Sequence, residues 1–302
     1  MHLQGSICAL VTPFDLDGRL DLEALAALVD WHVDAGTSAL VIAGSTGEAA
    51  LLDDDEYTRL IAAASAHAAQ RIPVIAGIGS PSTGKSRQLA RSARAQGAAA
   101  VLAVTPYYVR PTQRGLLDHY RSIAESAELP VILYNVPGRT GCDLLPDTVA
   151  QLAAHPGIVG IKEAVADPAR MAALLQLASD DFTVLSGDDP TALHAMRAGA
   201  SGTISVAANV TPRRFARLCE LARDGAHAEA LALDLGLQAL YAALGVESNP
   251  IPVKWLLERM GRLHGSLRPP LHRLSEAHHE IVGACLADIH AHEATIPGLS
   301  IG

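Results

Sequence analysis

Cysteine is scarce and dispersed in this 302-residue chain. Its four residues, Cys8, Cys142, Cys219 and Cys285, form no C-x-x-C pair. That spacing gives neither a disulfide frame nor a zinc site, and reads as reduced, mostly buried thiols of a cytoplasmic protein. Basic residues are outnumbered 23 to 32 by acidic ones, for a net charge of −9, and form no run. A nucleic-acid partner is therefore not expected. No apolar stretch approaches the ~18 residues of a membrane helix, so no membrane partner is expected either. The amino terminus has no basic start with an apolar core behind it, so export is not indicated. Charged residues amount to 18% and apolar residues to 49%, a balance that excludes intrinsic disorder and supplies a sizeable core.

What the chain has is alternation. Short runs rich in Val and Ile occur at 7–11, 39–43, 73–78, 98–104, 130–134, 158–161, 182–185 and 203–207. Continuous apolar runs of this length fit strands buried on both faces, as in a parallel sheet. Amphipathic, alanine- and leucine-rich segments separate them. Asp21 starts the first and Gly36 stops it, and Asp53-Asp54-Asp55 caps the next. Further helices fit 82–96, 113–127, 146–154, 168–178, 191–198 and 212–223. Eight such units without a linker predict a closed (β/α)8 TIM barrel over 1–224, in preference to an open doubly wound sheet. Residues 225–302 read as a C-terminal helical extension with helices at 226–244, 252–261 and 270–287. A frayed tail is expected after His292.

Active sites of such barrels lie at the carboxyl ends of the strands, and the polar residues there are the candidates. Lys162 ends the sixth unit in Gly160-Ile161-Lys162-Glu163-Ala164. It is either a rim lysine with an apolar stem or an enclosed amine that attacks carbonyl carbon. Tyr134 ends the fifth run, as packing or as a proton shuttle. Arg139 follows in a Gly/Pro turn and offers a planar fork suited to a carboxylate, or sits on the surface. The loop Gly44-Ser45-Thr46-Gly47-Glu48 can bring N–H groups close to an anion. A different function is suggested by Gly79-Ser80-Pro81-Ser82-Thr83-Gly84-Lys85-Ser86, which satisfies the G-x-x-x-x-G-K-[ST] nucleotide loop. No apolar strand ending in Asp follows to hold magnesium, and eight repeats are not an open sheet. Thirteen scattered histidines produce no ligand triad, so no metal is expected.

Several motifs stand in order along the chain: Gly44–Glu48, then Val104-Thr105-Pro106-Tyr107-Tyr108, then Tyr134-Asn135-Val136-Pro137-Gly138-Arg139-Thr140-Gly141-Cys142-Asp143. Gly160-Ile161-Lys162-Glu163, Leu185-Ser186-Gly187-Asp188-Asp189 and Asn249-Pro250-Ile251-Pro252-Val253-Lys254-Trp255 complete the set. By these the chain resembles the pyruvate-dependent class I aldolase family from Gly5 to about Leu286, and within it the dihydrodipicolinate synthases. The resemblance implies that Lys162 forms an imine with pyruvate. The derived enamine then attacks L-aspartate 4-semialdehyde, and no metal or organic cofactor is needed. It implies a proton relay of Ser45, Tyr134 and Tyr108, the last crossing from a neighbouring subunit of a homotetramer built from two tight dimers. Thr46 and the Ser45 and Thr46 N–H groups would hold the pyruvate carboxylate, and Arg139 that of the semialdehyde. Gly187 and Ile204 would line the pocket through their carbonyls.

Two departures from the family pattern bear on substrate and control. Ser45 stands where the synthases usually have Thr, losing the methyl that restricts the rotamer. Serine there is frequent in N-acetylneuraminate lyases, so the alternative is a sugar-acid aldolase of the same family, which typically lacks Arg139. Asp54, Tyr57, Pro81 and Lys85 replace the two histidines, asparagine and glutamate with which lysine-sensitive relatives bind L-lysine, only Tyr107 being retained. Weak or absent L-lysine inhibition is expected.

Overall fold

The computed structural model describes residues 3–295. Its first strand, β1 (Gly5–Ala9), lies beside β2 (Ala39–Ile42), and the order continues through β3 (Val74–Gly77), β4 (Ala100–Val104), β5 (Val131–Asn135), β6 (Ile158–Glu163), β7 (Thr183–Ser186) and β8 (Gly202–Ser205). All neighbours are parallel, and β8 pairs back onto β1 with Ile7 opposite Ile204, closing the barrel. The expected (β/α)8 architecture is the observed one. Alternation along each strand divides the apolar residues into two layers. Ile7, Val41, Ile75, Leu102, Ile132, Leu185 and Ile204 fill the barrel. Leu40, Val101, Leu133, Ile161 and Val184 meet the helices outside. Both faces are dry, which is why the strands read as unbroken apolar runs.

The outer helices are α1 (Leu22–Asp34), α2 (Asp54–Ala68), α3 (Thr83–Ala95), α4 (Gln113–Ala127), a single turn α5 (Pro137–Thr140), α6 (Pro146–Ala153), α7 (Pro168–Leu175), α8 (Ala192–Ala198) and α9 (Pro212–Arg223). Their starts are chemically marked. Asp53 accepts the Glu56 N–H at 2.8 Å while Glu56 reaches back to the Asp53 N–H at 3.1 Å, a reciprocal cap worth about 1 kcal/mol. The segment read as a nucleotide loop, 79–86, runs from just after β3 into the first turn of α3. Its groups are engaged within the protein: Ser82 caps α3, Thr83 meets His119 at 2.8 Å, and the Lys85 ammonium pairs with Asp54.

Beyond α9 the chain is helical in pieces: α10 (His227–Leu235), α11 (Gln238–Leu244), α12 (Ile251–Arg259), α13 (His279–Gly283) and α14 (Cys285–Thr295). Two details differ from the expectation. The 226–244 helix is broken at Gly236-Leu237, and no helix starts at Pro270. Residues 264–275 run irregularly because Pro269 and Pro270 supply no N–H donors, and because Arg268 ties the segment to other parts of the chain. Its guanidinium donates to the Gly18 carbonyl at 2.7 Å and the Leu51 carbonyl at 3.2 Å and pairs with Glu56. The tail expected to fray after His292 is helical to Thr295; residues 296–302 lie outside the described residues. Among the described residues no helix is long and apolar enough to cross a membrane.

Candidate active site

Tyr134 and Lys162 are register partners on β5 and β6, both on the inward face, and only 7% and 5% exposed. The Lys162 ammonium nitrogen lies 4.4 Å from the centre of the Tyr134 ring. It has no hydrogen-bonded or ion-paired partner among the described residues. An amine that no carboxylate holds is free to swing onto a carbonyl carbon. Gly187, just past β7, makes room for it: a Cβ there would stand 2.8 Å from both Cγ and Cε of Lys162. Ile204 is fully buried in the barrel beside Tyr134 and Leu185. Asp189 lies beyond salt-bridge distance, accepting the Val206 and Ala207 N–H groups at 3.1 and 2.8 Å. Burial raises its carboxyl from the ordinary value and the Lys162 charge works against that rise.

One residue on from Tyr134 and Lys162 the side chains point outward, and there the chain is polar by design of the register. Asn135 donates to both oxygens of Glu163 at 3.1 Å and to Asp143 at 2.9 Å. Arg170 donates Nε to Glu163 at 2.7 Å and its fork to Asp143 at 2.8 and 3.0 Å. Burial raises the Glu163 carboxyl even against the Arg170 charge. This network fastens the loop after β5, the loop carrying Arg139, to β6 and α7.

The loop after β2 supplies Ser45 and Thr46. Its turn is closed by the Glu48 N–H donating to the Ser45 carbonyl at 3.2 Å, and Asn249 donates to Thr46 Oγ1 at 2.9 Å. The Asn249 carbonyl also accepts from Arg139 at 3.2 Å. A cavity of about 370 Å³ is lined by Ser45, Tyr107, Tyr134, Arg139 and Asn249, within the usual size for small-molecule sites. Thus Ser45, Tyr134 and Arg139 meet in one space, with Lys162 against Tyr134 and Thr46 behind Asn249.

Tyr108 is placed differently. It is 91% exposed with φ at +71°, and lines a second, more open hollow with Tyr107, Arg110 and the 137–141 turn. Within one chain it does not join Ser45 and Tyr134. Sequence reasoning missed Asn249, Glu48 and Lys254 as parts of the site. The Asn-Pro-Ile-Pro signal marks the place, but their contacts bridge some 200 residues of chain (separations of 203 and 206).

A model of the dihydrodipicolinate synthetase family matches residues 2–289. A 4-hydroxy-tetrahydrodipicolinate synthase of Xanthomonas axonopodis pv. citri is 55% identical over 294 residues, covering 97% of both chains. Among solved structures, a chloride-inhibited dihydrodipicolinate synthase of Acinetobacter baumannii in complex with pyruvate superposes with a TM-score of 0.93 at 46% identity, over 96% of this chain and 99% of that one. A dihydrodipicolinate synthase characterised as the first monomeric variant does so at 0.93 and 40% identity, over 95% and 97%. The expected family and the geometry of the barrel mouth agree: this chain belongs to the dihydrodipicolinate synthetase family.

Proposed function

We infer that this chain is a lyase of the class I aldolase type that condenses pyruvate with L-aspartate 4-semialdehyde to give 4-hydroxy-tetrahydrodipicolinate, in lysine and diaminopimelate biosynthesis. The observation that carries this reading is Lys162. It is buried and unpaired on the inner face of β6, against a tyrosine, beside a cavity that also holds an arginine. In the reaction its nitrogen attacks C2 of pyruvate and water leaves, forming an imine. Loss of a C3 proton gives the enamine, whose carbon attacks the aldehyde carbon. The alkoxide takes up a proton, and the α-amine of the second substrate then attacks C2. That step closes the ring and expels the Lys162 amine.

Ser45, Tyr134 and a tyrosine from a second subunit, Tyr108, serve as the proton relay in this reading. Thr46 and the turn N–H groups hold the pyruvate carboxylate, Arg139 holds the carboxylate of the semialdehyde, and the Gly187 and Ile204 carbonyls complete the pocket. Arg139 in the cavity favours the amino-acid aldehyde over a sugar acid, because its fork can take the second carboxylate. Tyr108 and Val109, 91% and 55% exposed, support an assembly in which a partner covers them, which we take as a dimer within a homotetramer. Four unpaired, buried cysteines support a cytoplasmic location. Borohydride treatment with pyruvate is the test. A reduced adduct on the Lys162 peptide, absent in Lys162→Ala, is expected; an adduct on Lys85 or Lys254 overturns the assignment.

A further inference from the structure

Helix α12 sends a charged side chain into the mouth of the barrel. Lys254 is fully buried, donates to Glu48 Oε1 at 2.5 Å and to the Ser266 carbonyl at 2.8 Å, and lies 4.3 Å from the centre of the Phe14 ring. Glu48 has no side-chain exposure either, and its second oxygen accepts the Arg268 N–H at 3.0 Å. Burial pushes the Lys254 ammonium down to about 8 against the pull of Glu48. A buried ion pair gives little stability that apolar residues of the same shape would not give. Its presence at this point calls for a positional reason.

That reason lies in the backbone of Glu48. It sits in the left-handed region, φ +56°, a conformation that persists in a residue with a side chain only where the surroundings fix it. Its N–H closes the turn that carries Ser45 and Thr46, and the Gly47 carbonyl in that turn accepts from Thr12 at 2.7 Å. Five residues before Lys254, Asn249 holds Thr46 through its amide and Arg139 through its carbonyl. One short segment, 249–254, therefore grips the turn at two points and touches the arginine opposite.

We propose that Glu48 and Lys254 are positioning residues for the carboxylate of pyruvate: their buried pair locks the 45–48 turn at the place where Ser45 and Thr46 meet that group. This rests on the assignment of those two residues above. Both oxygens of Glu48 are occupied by Lys254 and Arg268, so the pair acts through the turn.

Borohydride trapping of the full chain across a pyruvate titration reads the half-saturating concentration without the second substrate. Lys254→Met is expected to raise it about tenfold or more, inside the ~10²-fold that a 1 Å misplacement can cost, with labelling of Lys162 still reaching completion. Arg214→Met removes another buried cation, the partner of Asp288 between α9 and α14. It is expected to lower Tm and leave half-saturation at the wild-type value. Wild-type half-saturation in Lys254→Met overturns the proposal, as does an equal shift in Arg214→Met. Should Lys254→Met not fold, Glu48→Gln keeps the shape, loses the charge, and is read by the same criterion. A wild-type protein that traps no pyruvate on Lys162 refutes the functional reading itself.

Discussion

The ammonium nitrogen of Lys162 lies 4.4 Å from the centre of the Tyr134 ring, on neighbouring strands in direct register. The ring and the hydroxyl of Tyr134 then have separable duties. The ring face steadies a cation, worth ~0.5–2 kcal/mol, and the hydroxyl can pass a proton. Tyr134→Phe keeps the first and removes the second. Turnover should fall roughly 10²-fold or more, the scale of general acid–base catalysis, while pyruvate is still trapped on Lys162. A fully active Phe variant would return Tyr134 to a packing role.

Arg139 should matter for one substrate and not the other. Among the described residues its guanidinium makes a single hydrogen bond, to the Asn249 carbonyl, which leaves the rest of the fork for a carboxylate. Arg139→Ala should raise the KM for the semialdehyde, with the loss of a charge-assisted contact worth about 1.5–3 kcal/mol, or roughly 10- to 10²-fold. Imine formation with pyruvate should continue unchanged. Steady-state kinetics with each substrate varied, alongside trapping, separates the two. Equal damage to both steps would mean that the arginine only props the turn.

How far these features are legible in sequence follows from the range of the contacts involved. Strands buried on both faces announce themselves as apolar runs, and a count of eight implies closure. Lys162 is visible because a charge directly after such a run needs an explanation. Glu163 and Asn135 stand beside Lys162 and Tyr134 in the quoted motifs without a role, and only the structure shows the network in which Asn135 and Arg170 both donate to Glu163. The Glu48–Lys254 pair joins residues of two separate motifs far apart in sequence, and no periodicity encodes their contact. The helix expected over 270–287 forms only in its second half, as α13 and the start of α14, for a local reason: two prolines and the Arg268 contacts hold residues 270–275 out of helix.

Stability should fall in mild acid because two histidines are buried and neutral. Burial lowers His32 to about 3 and His119 to about 4, from an ordinary 6.5. Each has one ring nitrogen on a threonine and the other, Nε2, buried without a partner. The folded-state values are depressed, so below 6.5 the unfolded chain binds protons that the folded chain does not. Their contribution is complete above 6.5 and is lost as pH falls to about 4 for His119 and about 3 for His32. Each should cost about 1.4 kcal/mol per pH unit in that window. Urea unfolding at about pH 8 and about pH 5 should show a drop of about 2 kcal/mol per histidine. His119→Gln, which can keep the bond to Thr83, should remove one share. An identical drop in the variant would mean that His119 is not the group titrating.

The last expectation concerns control by the end product L-lysine, and the structure sharpens it. Of the four departures in the inhibitor-binding positions, two now face one another: the Lys85 ammonium is paired with the Asp54 carboxylate. Asp54 is the one new acceptor that could have received a ligand ammonium, and a cation of the protein itself already engages it. Tyr57 cannot serve instead, since it is 4% exposed and its hydroxyl is buried without a partner. A bound L-lysine would have to bring its ammonium beside Lys85, a like-charge contact costing several kcal/mol. Activity should therefore be nearly unchanged at ~1 mM L-lysine, a concentration at the upper end of ordinary metabolite affinities. A dose–response curve with half-inhibition well below that would overturn the reading, and would require the Lys85–Asp54 pair to open when the ligand binds. Lys85→Glu supplies the missing carboxylate and frees Asp54. If charge at this position is what excludes the ligand, that variant should be the more lysine-sensitive of the two proteins.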